Sequence, residues 1–172
     1  KQEMHNSLNI HLVLSADNPF KGMLMITSEA LKQPVQKEIS IPVGDTELCL
    51  EDLELNEDIR CWDEYEGNVY EMTLSLSGMG ERRVHFGIRS FGSDVDGRLT
   101  LNGRRIFLRS EANCAEFPEE GHPPMTVEAW KNVLNKYKSY GVNCMRFHSN
   151  CPPEAAFTAA DELGILMQPE LS

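Results

Sequence analysis

The hydrophobic period of this chain changes near residue 90, and that change limits the folds open to it. Before it, apolar side chains recur at every second position. Leu8, Ile10, Leu12 and Leu14 alternate with Asn9, His11, Val13 and Ser15. Tyr70, Met72, Leu74 and Leu76 alternate with Glu71, Thr73, Ser75 and Ser77. A period of two sends successive side chains to opposite faces of a strand. Shorter runs carry Leu24 with Ile26, Ile39 with Ile41 and Val43, Leu48 with Leu50, Leu53 with Leu55, and Val84 with Phe86 and Ile88. Pro42 cannot donate to a ladder, so its run belongs at a sheet edge. Asp17-Asn18-Pro19 and Gly44-Asp45 supply turns between runs. About six or seven short strands spaced in this way predict an immunoglobulin-like β-sandwich.

After residue 90 the pattern is mixed. Leu99-Thr100-Leu101 and Arg105-Ile106-Phe107-Leu108 flank Asn102-Gly103. That dipeptide between apolar runs signals a tight hairpin, because both central positions of a type I′ turn need positive φ. Ser110 to Met125 holds Pro118, Gly121, Pro123 and Pro124 and is expected to be a long functional loop. Thr126 can cap a helix whose first turn holds Glu128 and whose buried stripe is Val127, Trp130, Leu134 and Tyr137, with Gly141 ending it. Val142 to Phe147 is a short apolar run, expected as a buried strand. Pro152-Pro153-Glu154 opens a second helix, whose Ala155, Ala156, Phe157, Ala159, Ala160 and Leu163 are expected to give it a small-residue face. Gly164 closes that helix, and Ile165-Leu166-Met167-Gln168 forms another strand with Pro169-Glu170 at its C-terminal end. Strand, helix, strand, helix, strand is the order of a parallel sheet. Three strands leave that sheet with open edges, so a natural domain is expected to continue, and a second copy could pair with the edge.

Net charge is −11, from 16 basic and 27 acidic residues. Nucleic acid and anionic membrane surfaces are therefore poor partners. The apolar runs are too short to span a bilayer. Lys1-Gln2-Glu3-Met4 has no signal-peptide pattern, which leaves the compartment unknown for an internal fragment. The five cysteines, at 49, 61, 114, 144 and 151, include no CxxC pair and no zinc spacing. They do not fix a disulfide pairing.

Arg146 and His148 fall where the Val142–Phe147 strand gives way to its loop. In β/α folds that end of the sheet is where substrates bind. Two residues apart, the two side chains project from one side of an extended chain. Two readings stand for each. Arg146 either serves a site or pairs with a structural carboxylate, and His148 either meets a ligand or caps the next helix. Trp62 is expected as a core anchor of the sandwich and Trp130 as helix core. Asp94, Asp96 and Gly97 lack the terminal glutamate of a calcium loop and suit a turn. The acidic cluster Glu51, Asp52, Glu54, Glu57 and Asp58 suits a solvated face.

Four pieces of the chain, taken together, resemble family 2 glycoside hydrolases, the group of β-galactosidases, β-glucuronidases and β-mannosidases. They are Trp62-Asp63-Glu64 with Asn68-Val69-Tyr70; Phe86-Gly87-Ile88-Arg89; Leu101-Asn102-Gly103-Arg104 with Phe107-Leu108-Arg109; and Asn143-Cys144-Met145-Arg146 with Asp161-Glu162-Leu163-Gly164-Ile165 and Glu170. The resemblance covers residues 60 to 172 well and the earlier strands by pattern only. It implies an internal fragment: an immunoglobulin-like domain over 1–92, then the first three strands and two helices of a (β/α)8 barrel over 93–172. The whole protein would hydrolyse a β-linked glycoside with retention, using two carboxyls about 5 Å apart. Both belong to later barrel strands, so no catalytic acid or nucleophile is assigned here and the fragment is expected to be inactive. Arg146 matches the arginine that supports the nucleophile. Asn113, His148 and Glu170 fall near positions that contact sugar, and Glu170 matches a residue that in some relatives helps bind magnesium. No other metal or cofactor is expected. His148 stands one position earlier, relative to the arginine, than the family's histidine, and Arg109-Ser110 replaces the usual arginine-glycine step. The rival reading is a non-catalytic carbohydrate-binding or scaffolding module. A complete α/β protein with another site is disfavoured by the unfinished sheet and the lack of a phosphate-binding glycine loop.

Overall fold

A computed structural model describes residues 7–171. Its residues cluster into two compact units. Those up to Ile59, with Tyr70–Phe86, form the first; Arg60–Val69, with Gly87 onward, form the second.

The first unit is antiparallel β. Strand β1 (Ser7–Ala16) pairs with β4 (Gly44–Glu54). A four-stranded sheet runs β3 (Val35–Ile41), β2 (Phe20–Ser28), β5 (Tyr70–Leu76), β6 (Gly80–Phe86). In β1 and β2 the alternation seen in the sequence is also the alternation of burial. Leu24, Ile26, Ile39, Ile41 and Met72 from the larger sheet meet Ile10 and Leu50 from the smaller one in a single apolar cluster. Two sheets closing on one core is a β-sandwich. Strand β3 is an outer strand of its sheet and Pro42 lies just past its end, so the missing N–H costs no ladder bond. Val84, expected to face inward, is 36% exposed. Strand β6 is the opposite edge of the four-stranded sheet, where an inward position has fewer neighbours.

The second unit begins with a small antiparallel sheet, β7 (Phe91–Ser93), β8 (Leu99–Leu101) and β9 (Arg104–Arg105). Asn102 and Gly103 turn between β8 and β9 with φ of 51° and 74°, as a type I′ turn requires. Three parallel strands follow, ordered β10 (Ser110–Asn113), β11 (Cys144–Phe147), β12 (Leu166–Pro169). Helix α1 (Val127–Ser139) links the first two, and α2 (Glu154–Leu163) the last two. Thr126 caps α1 by accepting from the Ala129 N–H. Trp130 and Leu134 of α1, Ala156, Ala159 and Ala160 of α2, and Met145, Phe147 and Ile165 share one core. The alanines have no side chain to hold the helices apart, so α2 can lie close to its neighbours.

Two expectations are corrected. Ser110–Asn113 is not loop but strand β10. It was hidden because Ser-Glu-Ala-Asn carries no apolar alternation, only Asn113 being buried. Trp62 does not anchor the sandwich. It is 1% exposed in the second unit, packed with Leu101 and Ile106, and its Nε1 donates to the Asp161 carbonyl at 2.6 Å. The Arg60–Val69 segment is fastened there by contacts that only glycine permits. A Cβ on Gly164 would sit 2.4 Å from the Asp63 carbonyl oxygen, and one on Gly67 would sit 2.3 Å from that of Glu162. Glu64, also buried, pairs with Arg104 at 2.6 Å.

Asn143 secures the other end of the parallel sheet. Its Oδ1 accepts from the Arg109 N–H at 2.8 Å, and its Nδ2 donates to the Phe107 carbonyl at 3.0 Å. The side chain is 3% exposed, so either bond, if lost, leaves a polar group without water to replace it.

Candidate functional site

The register of the parallel sheet sets what can meet at its C-terminal end. Ala112, Arg146 and Gln168 lie side by side, and Asn113, Phe147 and Pro169 form the next level. One residue further on come Cys114, His148 and Glu170. Side chains alternate between faces. Met145 and Phe147 are in the core with the helices, so Arg146 and the level of Cys114, His148 and Glu170 take the opposite, open face.

Arg146 donates from Nε to Glu170 Oε1 at 2.6 Å. The second oxygen, Oε2, accepts from the Ser149 N–H at 2.9 Å. Glu170 is thus gripped by β11 and the loop that follows it. The Ser149 amide, opposed by burial and then aided by the hydrogen bond and charge of Arg146 and by His148, holds its carboxyl below the usual carboxylate range. Ser149 itself has φ of 55°, unusual for a residue with a side chain. The bond to Glu170 ties that conformation to the ion pair. The two Nη groups of Arg146 form no hydrogen bond with a described residue, and the side chain is 42% exposed. A guanidinium held through Nε by a fixed carboxylate keeps its outer donors for a ligand oxygen or a second carboxylate.

Asn113 is buried, and its backbone carbonyl accepts from the His148 N–H at 2.9 Å. Its Oδ1 accepts from the Ala115 N–H at 2.9 Å, closing a side-chain turn that carries Ala115 at φ 58°. That gives Asn113 a structural task in shaping the exit from β10. His148 is exposed, and its Nδ1 stands 3.8 Å from Cys114 Sγ. It does not cap α2: the N-cap position is Pro153, with no side-chain hydrogen bond. Arg146 is paired with a carboxylate, that of Glu170, itself one of the residues selected from the sequence.

The structure brings all four sequence-selected residues to one end of one sheet. It adds three that sequence reasoning missed. Ser149 supplies the amide to Glu170. Asn150 donates to the His148 carbonyl at 3.0 Å, and its own carbonyl accepts from the Glu170 N–H at 3.2 Å, joining the ends of β11 and β12. Cys114 meets His148. Position alone, one step past Asn113 and within the His148–Asn150 loop, was the available signal.

Each carboxylate oxygen of Glu170 already has a donor, and among the described residues no group of three or more His, Cys, Asp or Glu side chains could hold a metal ion. No helix among them is long and apolar enough to cross a membrane.

No family model matches the sequence, and no curated protein does. Solved structures do match. A family 2 glycosyl hydrolase from Bacteroides cellulosilyticus superposes with a TM-score of 0.80 at 21% identity, over 95% of this chain and 24% of its own. A β-glucuronidase from Parabacteroides merdae gives 0.70 at 22% identity, over 95% of this chain and 22% of its own. A family 2 β-galacturonidase from Eisenbergiella tayi gives 0.71 at 20% identity, over 92% and 28%. The chain spans about a quarter of the length of the structures it matches. Its fold is therefore that of a segment of family 2 glycosyl hydrolases.

Proposed function

We propose that this chain is the part of a retaining family 2 glycoside hydrolase that joins an immunoglobulin-like domain, residues 1–92, to the opening strands of a (β/α)8 barrel, residues 93–172. The observation that carries the reading is the Arg146–Glu170 pair at the C-terminal ends of parallel strands, in a fold matched by segments of glycosidases. In this reading the open face carrying Arg146 turns toward the barrel interior, and further strands pair with the outer edges of β10 and β12. Arg146, anchored through Nε, directs its free Nη donors at the nucleophilic carboxylate. A fixed cation beside that carboxylate keeps it ionised and able to attack the anomeric carbon. Glu170 orients Arg146 and lines the sugar site; His148 reaches the sugar from the neighbouring strand end; Asn113 holds the loop between them. The acid/base and nucleophile come from strands outside residues 1–172, so this chain alone does not turn over. A carbohydrate is the substrate of the whole protein.

The test is hydrolysis of aryl β-glycosides, uronides included, by the protein translated from the whole reading frame that carries this chain. Proton NMR of the first sugar released should show the β-anomer, and residues 1–172 alone should release none. Release of the α-anomer first, or turnover by residues 1–172 alone, would contradict the proposal.

A further inference from the structure

We propose that Cys114 is a modification site: its thiol, paired with the His148 imidazole on the open rim of the parallel sheet, exchanges with low-molecular-weight disulfides. The pairing follows from backbone register. Asn113 of β10 is opposite Phe147 of β11, so the residues that follow them emerge side by side, and the His148 N–H to Asn113 carbonyl bond fixes their offset. Sγ lies 3.8 Å from Nδ1, and both residues are exposed. With the ring hydrogen on Nε2, Nδ1 can take the thiol proton and leave a thiolate beside an imidazolium, which is how cysteines become nucleophilic.

The other four cysteines are placed differently. Cys144 and Cys61 are pushed to higher pKa, in each case first by burial, and Cys144 is 3% exposed. Cys49 is exposed and directs its thiol at the Glu51 carboxylate, 3.9 Å away. Cys151 is exposed and directs its thiol at the Pro152 carbonyl, 3.8 Å away. Of the three exposed cysteines, Cys114 is the one whose thiol contacts an imidazole; Cys49 lies across the ladder from His11, but its thiol contacts the Glu51 carboxylate.

In the reaction the Cys114 proton passes to His148. The thiolate attacks one sulfur of the disulfide; a new S–S bond forms as the old one breaks, and the departing thiolate takes the proton from His148. With glutathione disulfide, the protein thiol is oxidised to a mixed disulfide and one glutathione is released as the thiol. The proposal concerns the pair's chemistry and holds whether or not a sugar binds at this rim.

The experiment treats the intact chain with glutathione disulfide, and in parallel with iodoacetamide, and follows each cysteine by peptide mass spectrometry. Cys114 should be modified at least about tenfold faster than Cys49 and Cys151. In His148→Gln that advantage should vanish while the rates at Cys49 and Cys151 stay the same. Equal rates at the three exposed cysteines of the unmodified sequence would overturn the proposal without recourse to a variant. So would a His148→Gln protein, folded by circular dichroism, in which Cys114 keeps its lead.

Discussion

The two compact units are held by different kinds of contact. In the first, sheets close on a cluster of aliphatic side chains delivered by simple alternation, and its ion pairs are exposed ones, such as Lys21–Glu38 and Lys32–Glu54. Such pairs contribute little. In the second, the apolar core under α1 and α2 is supplemented by partly buried directional bonds: Trp62 to Asp161, Asn143 to the Phe107–Arg109 segment, Glu64 to Arg104. The lesson concerns function. An alternating core tolerates exchange of one aliphatic residue for another, whereas the bonds around the parallel sheet fix position and orientation, including the register that brings Arg146 to Glu170.

The largest effect should come from Trp62→Ala. It empties an indole-sized site and leaves the Asp161 carbonyl without its donor, a loss of about 3–5 kcal/mol. Hydrogen exchange should report it across β8 and α2, with β1–β5 unchanged. Loss of protection in β2 and β5 as well would show that the two units do not differ in the way described.

A smaller effect is expected from Ile26→Val in the centre of the first unit. Removing one methylene from this fully buried side chain costs about 0.5–1.5 kcal/mol. Chemical denaturation followed on the first unit should show a modest shift in midpoint and no change in slope. A loss comparable to that of Trp62→Ala would mean that the sandwich is as intolerant as the parallel sheet.

The smallest effect is the pH dependence of the Glu170 pair. The carboxyl's value is lowered in the fold from an ordinary 4.5, so its contribution is fully present above that value and fades as pH falls through the lowered one. Glu170→Gln removes that contribution. The variant should melt below the parent at pH 7, with the gap closing as acid protonates Glu170 in the parent. A gap that widens in acid would reverse the sign and dismiss the ionised pair.

How much of this was legible in the sequence follows the same division. Strand β5 could be read from Tyr70 to Leu76 because its alternation is local and complete. The Asn102-Gly103 turn and the Thr126 cap were equally local, each a demand of a few consecutive φ angles or one side-chain oxygen. Trp62 was misassigned because its hydrogen-bond partner, Asp161, is 99 positions away and nothing near residue 62 announces it. Strand β10 was missed because its ladder, not its side chains, makes it a strand. At the site, Arg146 and His148 could be selected from their place at a strand end, and Glu170 from the resemblance to family 2 glycoside hydrolases. That Arg146 and Glu170 are bonded, that Ser149 completes the grip, and that Cys114 meets His148 depend on the register between strands, which no single run of residues encodes.

Kinetics of Arg146→Gln in the whole protein test the central claim most directly, namely that the second unit's directional bonds serve to aim Arg146 at a reacting carboxylate. With an aryl β-glycoside, the account predicts kcat lowered by about 100-fold, roughly 2.7 kcal/mol, with KM changed far less. A variant whose kcat stays within about twofold of the parent would contradict it and leave Arg146 and Glu170 as a structural pair.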